Sequence, residues 1–379
     1  MSNHKRRIAI LSPIFSSANK AHGGITPVVA NLAKGFALRG LFVDMLVRLP
    51  KHSTLPESPL GNGIRIIDLG TSHRLSTALA VVRYLRAEQP VALLAAGHRF
   101  NLAAAWAKRF SPKSRIYLSV HNTVSAEASG GGFWKTWKRW RAISRFYPRA
   151  DGVITVSQGV ADDLVAHSKL SKQQIQVINN PIVTPDLMQA AQQEIDHPWF
   201  APDAPPVILG TGRLSKQKAF DVLLKAFAIV RQQRPCRLMI LGEGPLRGEL
   251  ETLAKSLGIS DDVSLPGFIS NPYATMRQAK VFVLSSAFEG FGNVLVEAMA
   301  VGTPVVATDC PSGPRDILDN GRYGPLVAVG DSNALAQAIL DTLDNPLDAA
   351  ILTSAADRFE LGTITAQYLA YLGLTEQTA

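Results

Sequence analysis

Short, mostly apolar runs alternate with helical stretches, and this alternation most constrains the fold. Runs such as Phe42–Val47 and Arg115–Val120 are separated by helical patterns, and the series restarts at Val207. Such runs are typical of strands buried on both faces, and the helices between them predict parallel pairing. We therefore predict an α/β protein with two doubly wound, Rossmann-like domains. Ligands of such sheets bind at the carboxyl ends of the strands, so we expect the domains to face each other across a cleft.

The chain length agrees with this division. A chain of 379 residues fits two domains of about 150–200 residues each. A polar, proline-rich connector follows Asn179-Asn180-Pro181 and continues to Pro206. We assign residues 1–180 to an N-terminal domain and residues 181–362 to a C-terminal domain. Residues 363–379 are expected to pack back on the N-terminal domain.

The charge is unevenly divided between the halves. Residues 1–180 contain 25 Lys and Arg and 8 Asp and Glu, a net charge of +17, whereas residues 181–379 contain 14 and 22, a net charge of −8. The basic half suits an anionic partner such as a nucleic acid, an acidic membrane surface or a phosphorylated acceptor, although uneven charge can also be solvated surface. The acidic half is a poor nucleic-acid binder.

Cysteines and hydropathy indicate the compartment. Cys236 and Cys310 form no Cys/His cluster, which predicts neither a disulfide framework nor a zinc site and favours a cytoplasmic setting. The apolar run Ile8–Ile14 is interrupted by Ser12 and Pro13 and is interpreted as a first strand, not a signal peptide. No window has the 18 apolar residues that a membrane span needs, so at a membrane the protein is expected to be peripheral.

The stretch from Ser285 to Pro304 carries the strongest chemical signal. Its loop Glu289-Gly290-Phe291-Gly292-Asn293 leads from a strand into a helix, and helix N-termini bind anions such as a diphosphate. Glu297 lies one turn into an otherwise apolar helix, where it could accept hydrogen bonds from ribose hydroxyls. Either Glu alone could be a structural side chain, but the whole stretch favours a site.

A second stretch follows the strand Val207–Thr211. Arg213 and Lys218 leave its carboxyl end five residues apart, where two cations could neutralise a leaving diphosphate; the alternative is two solvated cations. Gly244 after the next strand is a weaker sign of close backbone approach. In the first half, Gly23-Gly24 lie after the first strand, and His121 follows the strand Arg115–Val120, although a single His is more often structural.

Together these residues resemble glycosyltransferase family 4, retaining nucleotide-sugar transferases of GT-B fold. Glu289 and Glu297 match the family's E-x7-E motif, and Gly302-Thr-Pro-Val-Val306 matches the G-x-P-V-V that follows it. Arg213 and Lys218 match its phosphate-binding pair, Gly23-Gly24 its Gly-Gly loop, and His121 its active-site His. One departure is Ala219, where the family usually has Gly.

The resemblance implies a role for each matched residue. Arg213 and Lys218 would hold the β-phosphate of a UDP-sugar, with N–H groups from Gly292 and Asn293; we add Val294 and Gly244 to this donor site. Glu297 would hold the ribose, Glu289 the donor sugar, and Phe268 and Ile269 would lie near the uracil. His121 would contact the donor sugar or the acceptor. The catalytic set is thus Glu289, His121, Arg213 and Lys218.

The chain contains no Asp-x-Asp, so neither a metal nor another cofactor is expected, and the two cations would do the metal's electrostatic work. Pro311–Ile317 is similar to family members that build lipid-linked oligosaccharides and bacterial surface polysaccharides. The resemblance therefore implies transfer of a hexose or N-acetylhexosamine to a lipid-linked saccharide acceptor.

Residues 133–149 contain six basic and six aromatic residues and no acid. On a helical wheel Trp137, Trp140, Ile143 and Tyr147 fall on one side, opposite most of the basic residues. This composition is typical of an interfacial helix on an anionic membrane, here at the inner face of the cytoplasmic membrane. An ordinary helix packed through its tryptophans is the alternative, and nucleic acid is not expected as a partner.

Three other functions remain as alternatives. A nucleotide-sugar 2-epimerase would share the fold, but the Arg213/Lys218 and Glu289/Glu297 set argues against it. A transferase with a soluble acceptor would use the same donor site. A non-catalytic, membrane-bound scaffold is disfavoured because every motif residue is chemically competent.

Overall fold

The computed structural model describes residues 7–13, 24–49, 61–71, 73–128 and 132–374. Contacts divide them into two compact units, one from Met1–Pro181 with Leu361–Ala379 and the other from Ile182–Glu360. The divisions thus fall at 181/182 and 360/361, where the sequence analysis places them at 180/181 and 362/363. No helix in these ranges is long and apolar enough to cross a membrane.

A fully parallel, seven-stranded sheet forms the centre of the first unit. Its order is β3-β2-β1-β4-β5-β6-β7, so the winding direction reverses between β1 and β4. The central strands are buried on both faces, which explains their nearly continuous apolar sequences. The strands are β1 (Arg7–Leu11), β2 (Phe42–Val47), β3 (Ile64–Asp68), β4 (Ala92–Ala96), β5 (Ile116–Val120), β6 (Gly152–Thr155) and β7 (Ile175–Val177).

Among the described residues, six helices lie between the strands of this unit. They are α1 (Ile25–Leu38), α2 (Arg74–Glu88), α3 (His98–Ala107), α4 (Val124–Ala128), α5 (Phe133–Phe146) and α6 (Gln158–His167). The α6 helix begins after Ser157, whose Oγ accepts the N–H of Val160 at 3.4 Å, a side-chain cap of the expected kind. The sequence analysis missed α4 and β7 because each is too short to show a period.

The second unit contains a parallel sheet of six strands in the order β10-β9-β8-β11-β12-β13. Here the winding reverses between β8 and β11, and loops from the carboxyl ends of both strands therefore meet. Its strands are β8 (Val207–Thr211), β9 (Arg237–Leu241), β10 (Val263–Gly267), β11 (Val281–Leu284), β12 (Val305–Thr308) and β13 (Leu326–Val327).

The helices of the second unit are α7 (Pro185–Ala190), α8 (Phe220–Gln233), α9 (Arg247–Ser256), α10 (Pro272–Gln278), α11 (Asn293–Ala300), α12 (Pro314–Ile317), α13 (Ser332–Asp344) and α14 (Ala349–Ala356). A last helix, α15 (Leu361–Tyr371), belongs to the first unit. Its Tyr368 is buried against Phe36 of α1, with ring centroids 6.3 Å apart at 80°. The prediction of an α/β fold with two doubly wound sheets is confirmed.

Candidate active site

The loop between β11 and α11 ends in a helix start suited to an anion. Gly292 precedes α11 with φ +103°, a conformation that favours glycine. Its carbonyl accepts the N–H of Leu295 at 2.9 Å, which closes the first turn. Helix N-termini carry partial positive charge and directed N–H groups. Gly292, Asn293 and Val294 therefore lie at a helix start that suits an anion, and a diphosphate there stays a prediction.

Glu289 and Lys218 form an ion pair although they are 71 residues apart. Lys218 Nζ lies 2.5 Å from Glu289 Oε1, and the same oxygen accepts the hydroxyl of Ser286 at 2.6 Å. Glu289 is buried, and only 15% of the Lys218 side chain is exposed. A buried carboxylate of this kind is stable only when it is paired. The pair joins the loops after β8 and β11 at the point where the winding of the sheet reverses.

Hydrogen bonds to backbone carbonyls hold these two loops together. Gln217 Nε2 donates to the carbonyl of Phe288 at 3.1 Å, and the N–H of Ala287 donates to the carbonyl of Gln217 at 2.8 Å. Ser285 Oγ donates to the carbonyl of Lys218 at 2.8 Å. Lys218 is therefore fixed at its backbone as well as at its ammonium group.

Glu297 differs electrostatically from Glu289. Burial raises the pKa of Glu297 to about 7, and the nearby charge of Lys218 opposes this rise. The charge of Glu297 in turn raises the pKa of Tyr273, and burial adds to that effect. Lys218 thus lies within electrostatic reach of both motif carboxylates. The sequence analysis missed Tyr273 and Ser286, and the Asn-Pro that precedes Tyr273, a helix-start signal, could have pointed to the first.

Three glycines let the loops after β8 and β9 come together. A Cβ on Gly212 would lie 2.9 Å from Lys218 Cε, and a Cβ on Gly242 would lie 2.0 Å from the carbonyl oxygen of Gly212. A Cβ on Gly244 would lie 2.3 Å from the carbonyl oxygen of Leu214. Gly244 therefore allows the loop after β9 to approach Leu214 closely, and its place in a donor site stays a prediction.

Arg213 and Phe268 are exposed at the carboxyl ends of the strands in this unit. Arg213 follows β8, and within the described part of the chain it has no ion-pair partner. Phe268, which follows β10, is 53% exposed, and Ile269 beside it is partly buried. A cation and an aromatic ring that remain accessible can contact a diphosphate and a base, respectively.

Ala219, the residue immediately before α8, has the left-handed conformation, with φ 47° and ψ 44°. This is the position where the family usually has Gly. A left-handed Ala costs roughly 1–2 kcal/mol relative to a right-handed one. The local backbone is therefore the one that glycine favours, even though the residue has changed.

In the first unit, His121 follows β5 and is buried. Its Nε2 lies 2.9 Å from Ser119 Oγ, and its Nδ1 has no partner among the described residues. Burial lowers the pKa of His121 to about 4, so the imidazole is neutral at physiological pH. Gly24 immediately precedes α1, and Gly23 lies outside the described residues.

Along α5, the apolar side predicted for an interfacial helix is divided. Ile143 and the adjoining Tyr147 are buried within the first unit, and Trp140 stacks on His167 with ring centroids 5.0 Å apart. The expectation that all four residues form one membrane-facing side is therefore wrong for these three, because the unit uses them for its own packing. Trp134 and Trp137 are 70% and 42% exposed and lie edge to face.

Each unit contains one doubly wound parallel sheet, and this pair of Rossmann-like domains is the architecture of the α/β fold called GT-B. Two family models match the chain: Glycosyltransferase Family 4 over residues 22–185 and Glycosyl transferases group 1 over residues 191–359. The chain belongs to glycosyltransferase family 4.

A curated relative is similar to this chain in sequence, and solved structures are similar to it in fold. One relative is the N-acetylgalactosamine-N,N'-diacetylbacillosaminyl-diphospho-undecaprenol 4-alpha-N-acetylgalactosaminyltransferase of Campylobacter jejuni. The two sequences are 34% identical over 248 residues, and this alignment covers 65% of this chain and 66% of that protein. The fold resembles the lipopolysaccharide outer core galactosyltransferase WaaB, with a TM-score of 0.73, 23% identity and coverage of 97% and 99% of the two chains. It also resembles Anabaena Alr3699/HepE in complex with UDP-glucose, with a TM-score of 0.73, 22% identity and coverage of 96% and 99%.

Proposed function

We propose that this protein is a retaining glycosyltransferase that uses a nucleoside-diphosphate sugar, UDP-linked, as donor. It moves a hexose or N-acetylhexosamine to a lipid-linked saccharide in bacterial glycan synthesis. The observation that carries this proposal is the cluster of Lys218, Glu289 and Glu297 beside the N-terminus of α11. The ammonium group of Lys218 can neutralise part of the charge of a diphosphate, and the two carboxyl groups can each accept hydrogen bonds from sugar hydroxyls.

The donor would occupy the carboxyl edge of the second sheet. Its diphosphate would meet Arg213, Lys218 and the first N–H groups of α11, and its ribose would bond to Glu297. Glu289 would accept hydrogen bonds from the donor sugar, and the uracil would lie near Phe268 and Ile269. The complex of the structurally similar Alr3699/HepE with UDP-glucose supports this class of donor.

Catalysis would rest on charge neutralisation of the leaving diphosphate. When the bond between the sugar and the β-phosphate breaks, negative charge grows on the phosphate oxygen, and fixed cations stabilise it. Lys218 and Arg213 supply that positive charge, so no metal ion is required. In a retaining reaction the acceptor hydroxyl attacks from the face that the diphosphate leaves. His121, neutral and with an available Nδ1, would contact the donor sugar or the acceptor.

The acceptor and the cellular location are inferred from relatives and from surface chemistry. The Campylobacter relative is named for a diphospho-undecaprenol saccharide, which lies at a membrane. Trp134 and Trp137 are exposed at the start of α5, and Lys138, Arg141 and Arg145 are exposed farther along it. Exposed tryptophans next to basic side chains suit an anionic membrane surface. We therefore place the protein peripherally at the inner face of the cytoplasmic membrane.

A panel of nucleotide sugars tests the donor site. UDP and UDP-sugars should raise Tm, because a ligand that binds only the folded protein stabilises it. Lys218→Ala should abolish the shift and turnover. Lys225→Ala, which removes a half-exposed lysine paired with Asp221 on α8, should preserve both. If Lys218→Ala binds UDP and turns over like wild type, the site is wrongly assigned.

Co-sedimentation with phosphatidylglycerol vesicles tests the membrane surface. The double variant Trp134→Ser/Trp137→Ser should lose most of its binding, and binding of wild type should weaken with salt. Leu38→Ser serves as control, because Leu38 is 77% exposed on α1 of the same unit. Equal binding of the double variant and wild type would contradict this surface.

A further inference from the structure

The loop that follows His121 is held by a carboxylate far along the chain. Asp163 on α6 is buried, and its Oδ2 accepts the N–H of Val124 at 2.8 Å and of Ser125 at 3.2 Å. These two residues begin α4, three and four residues after His121. The loop of residues 121–125, here termed the His121 loop, is therefore fixed at both ends: by β5 before it and by Asp163 after it.

Asp163 also connects this loop to α5. His167, one turn further along α6, has its Nδ1 3.0 Å from the carbonyl oxygen of Asp163 and 3.3 Å from Asp163 Oδ1. The same nitrogen lies 3.5 Å from Ser125 Oγ. On its face, the imidazole stacks on Trp140 of α5 with an interplanar angle of 24°. A continuous set of contacts thus leads from Trp140 through His167 and Asp163 to the His121 loop.

This arrangement is more than helix capping. A buried carboxylate such as that of Asp163 costs free energy unless it is paired or fully hydrogen-bonded. The neighbouring Asp162 on the same helix is solvent-exposed and offers a comparison. Asp162 bonds to Gln158 Nε2 at 2.8 Å within α6 itself. The inward-facing Asp163 is therefore the carboxylate that reaches another element, and that element adjoins the candidate active-site His.

We propose that Asp163 is a positioning residue for transfer: it holds the His121 loop in place, and His167 ties that loop to Trp140 of α5. The inference rests on the proposed function, since it assumes that His121 acts on the donor sugar or the acceptor. Asp163 itself contacts neither substrate. Its removal displaces the His121 loop and leaves the donor-binding residues of 182–360 unchanged.

The test compares Asp163→Ala with Asp162→Ala in the full chain. For Asp163→Ala we expect kcat for transfer to fall about 10-fold to 100-fold, the cost of a misplaced catalytic group, with the KM for the UDP-sugar and the UDP-induced shift in Tm unchanged. Hydrogen exchange of the Val124 and Ser125 amides should accelerate about tenfold, as expected when a hydrogen bond is lost. Asp162→Ala should match wild type in all these measurements.

Two further variants make the result decisive. Asp163→Asn keeps the volume and one acceptor oxygen, so it should fold and give an intermediate kcat even if Asp163→Ala does not fold. His167→Ala should increase acrylamide quenching of Trp140 fluorescence in a protein whose other four tryptophans, Trp106, Trp134, Trp137 and Trp199, are changed to Phe.

Unchanged kcat in both Asp163 variants, with an active wild type, would overturn this inference alone. Equal losses of kcat and of the UDP-induced shift would also overturn it, because they indicate a general structural defect. A wild type that transfers sugar from no nucleotide donor would overturn the proposed function, and this inference with it.

Discussion

At the scale of single residues, two glutamates eight positions apart have opposite electrostatic environments. Glu289 is paired with Lys218 at 2.5 Å and hydrogen-bonded to Ser286. Glu297 is half-buried and has no ion-pair partner among the described residues, and desolvation raises its pKa to about 7. Lys218 and Ser286 hold Glu289 in a fixed contact, whereas Glu297 can exist as acid or carboxylate near neutral pH.

Glu297→Gln is expected to change how stability depends on pH. The pKa of Glu297 is about 7 in the folded protein and about 4.3 in an unfolded chain. The folded state therefore binds more protons at this group between these values, and the contribution of Glu297 to stability falls as pH rises from 5 to 8. Gln has no such titration, so the variant should gain about 1–3 kcal/mol on wild type by pH 8.

Urea unfolding at pH 5 and pH 8 measures this difference directly. Glu249→Gln, at an exposed carboxylate on α9, is the control and should follow wild type at both values. A constant difference between Glu297→Gln and wild type across this range would contradict the assigned environment of Glu297.

At the scale of elements, the loop Glu289–Asn293, here termed the donor loop for its proposed role, depends on a glycine in the next loop. Gly313, with φ +93°, precedes α12, and a Cβ there would lie 1.7 Å from the carbonyl oxygen of Phe291. Phe291 is itself buried and packs edge to face against Phe359 at 5.4 Å. The loop Glu289–Asn293 is thus enclosed between the loop after β12 and the end of the second unit.

Gly313→Ala should therefore displace the donor loop. We expect a loss of about 2–4 kcal/mol in unfolding free energy, from backbone strain together with overpacking, and weaker UDP binding. Gly330→Ala is the matched control, because Gly330 has φ +82° but open space around its added Cβ. It should lose about 1 kcal/mol from strain alone and keep wild-type UDP affinity. Calorimetry with UDP measures both, and equal effects of the two substitutions would contradict the close approach.

At the scale of the whole molecule, chain order and structural units do not coincide. The second unit is continuous from Ile182 to Glu360, whereas the first needs residues from both sides of it. Ile364, Tyr368, Leu369 and Leu372 are all buried in the core of the first unit. Burial of such side chains contributes about 1.5–3 kcal/mol each, which together is comparable with the stability of a whole domain.

Fragments should therefore behave differently. Residues 182–360 should unfold cooperatively on their own and retain the UDP-induced rise in Tm. Residues 1–181 alone should be unstable, and fusion of residues 361–374 through a flexible linker should restore a cooperative transition in calorimetry. A fragment 1–181 as stable as the fused form would show that α15 is dispensable.

The sequence alone determined the two doubly wound sheets and the neighbourhood of the candidate donor site. Runs such as Phe42–Val47 are apolar because both faces of a parallel sheet are covered, so periodicity locates the strands. Arg213, Lys218 and Glu289 follow strand ends, and parallel strands bring their carboxyl ends to one edge. These predictions needed only local patterns and the geometry of parallel sheets.

Only the tertiary structure decided how those side chains pair and which surfaces remain exposed. The Lys218–Glu289 contact joins residues that are far apart in the chain, as do the hydrogen bonds from Val124 and Ser125 to Asp163. The raised pKa of Glu297 likewise depends on the residues that surround it in the fold. On α5, a single helical pattern is divided between buried Ile143 and exposed Trp134. The physical reason is that ionisation and burial depend on what packs against a side chain, and a sequence period gives its direction on an element but not its neighbours.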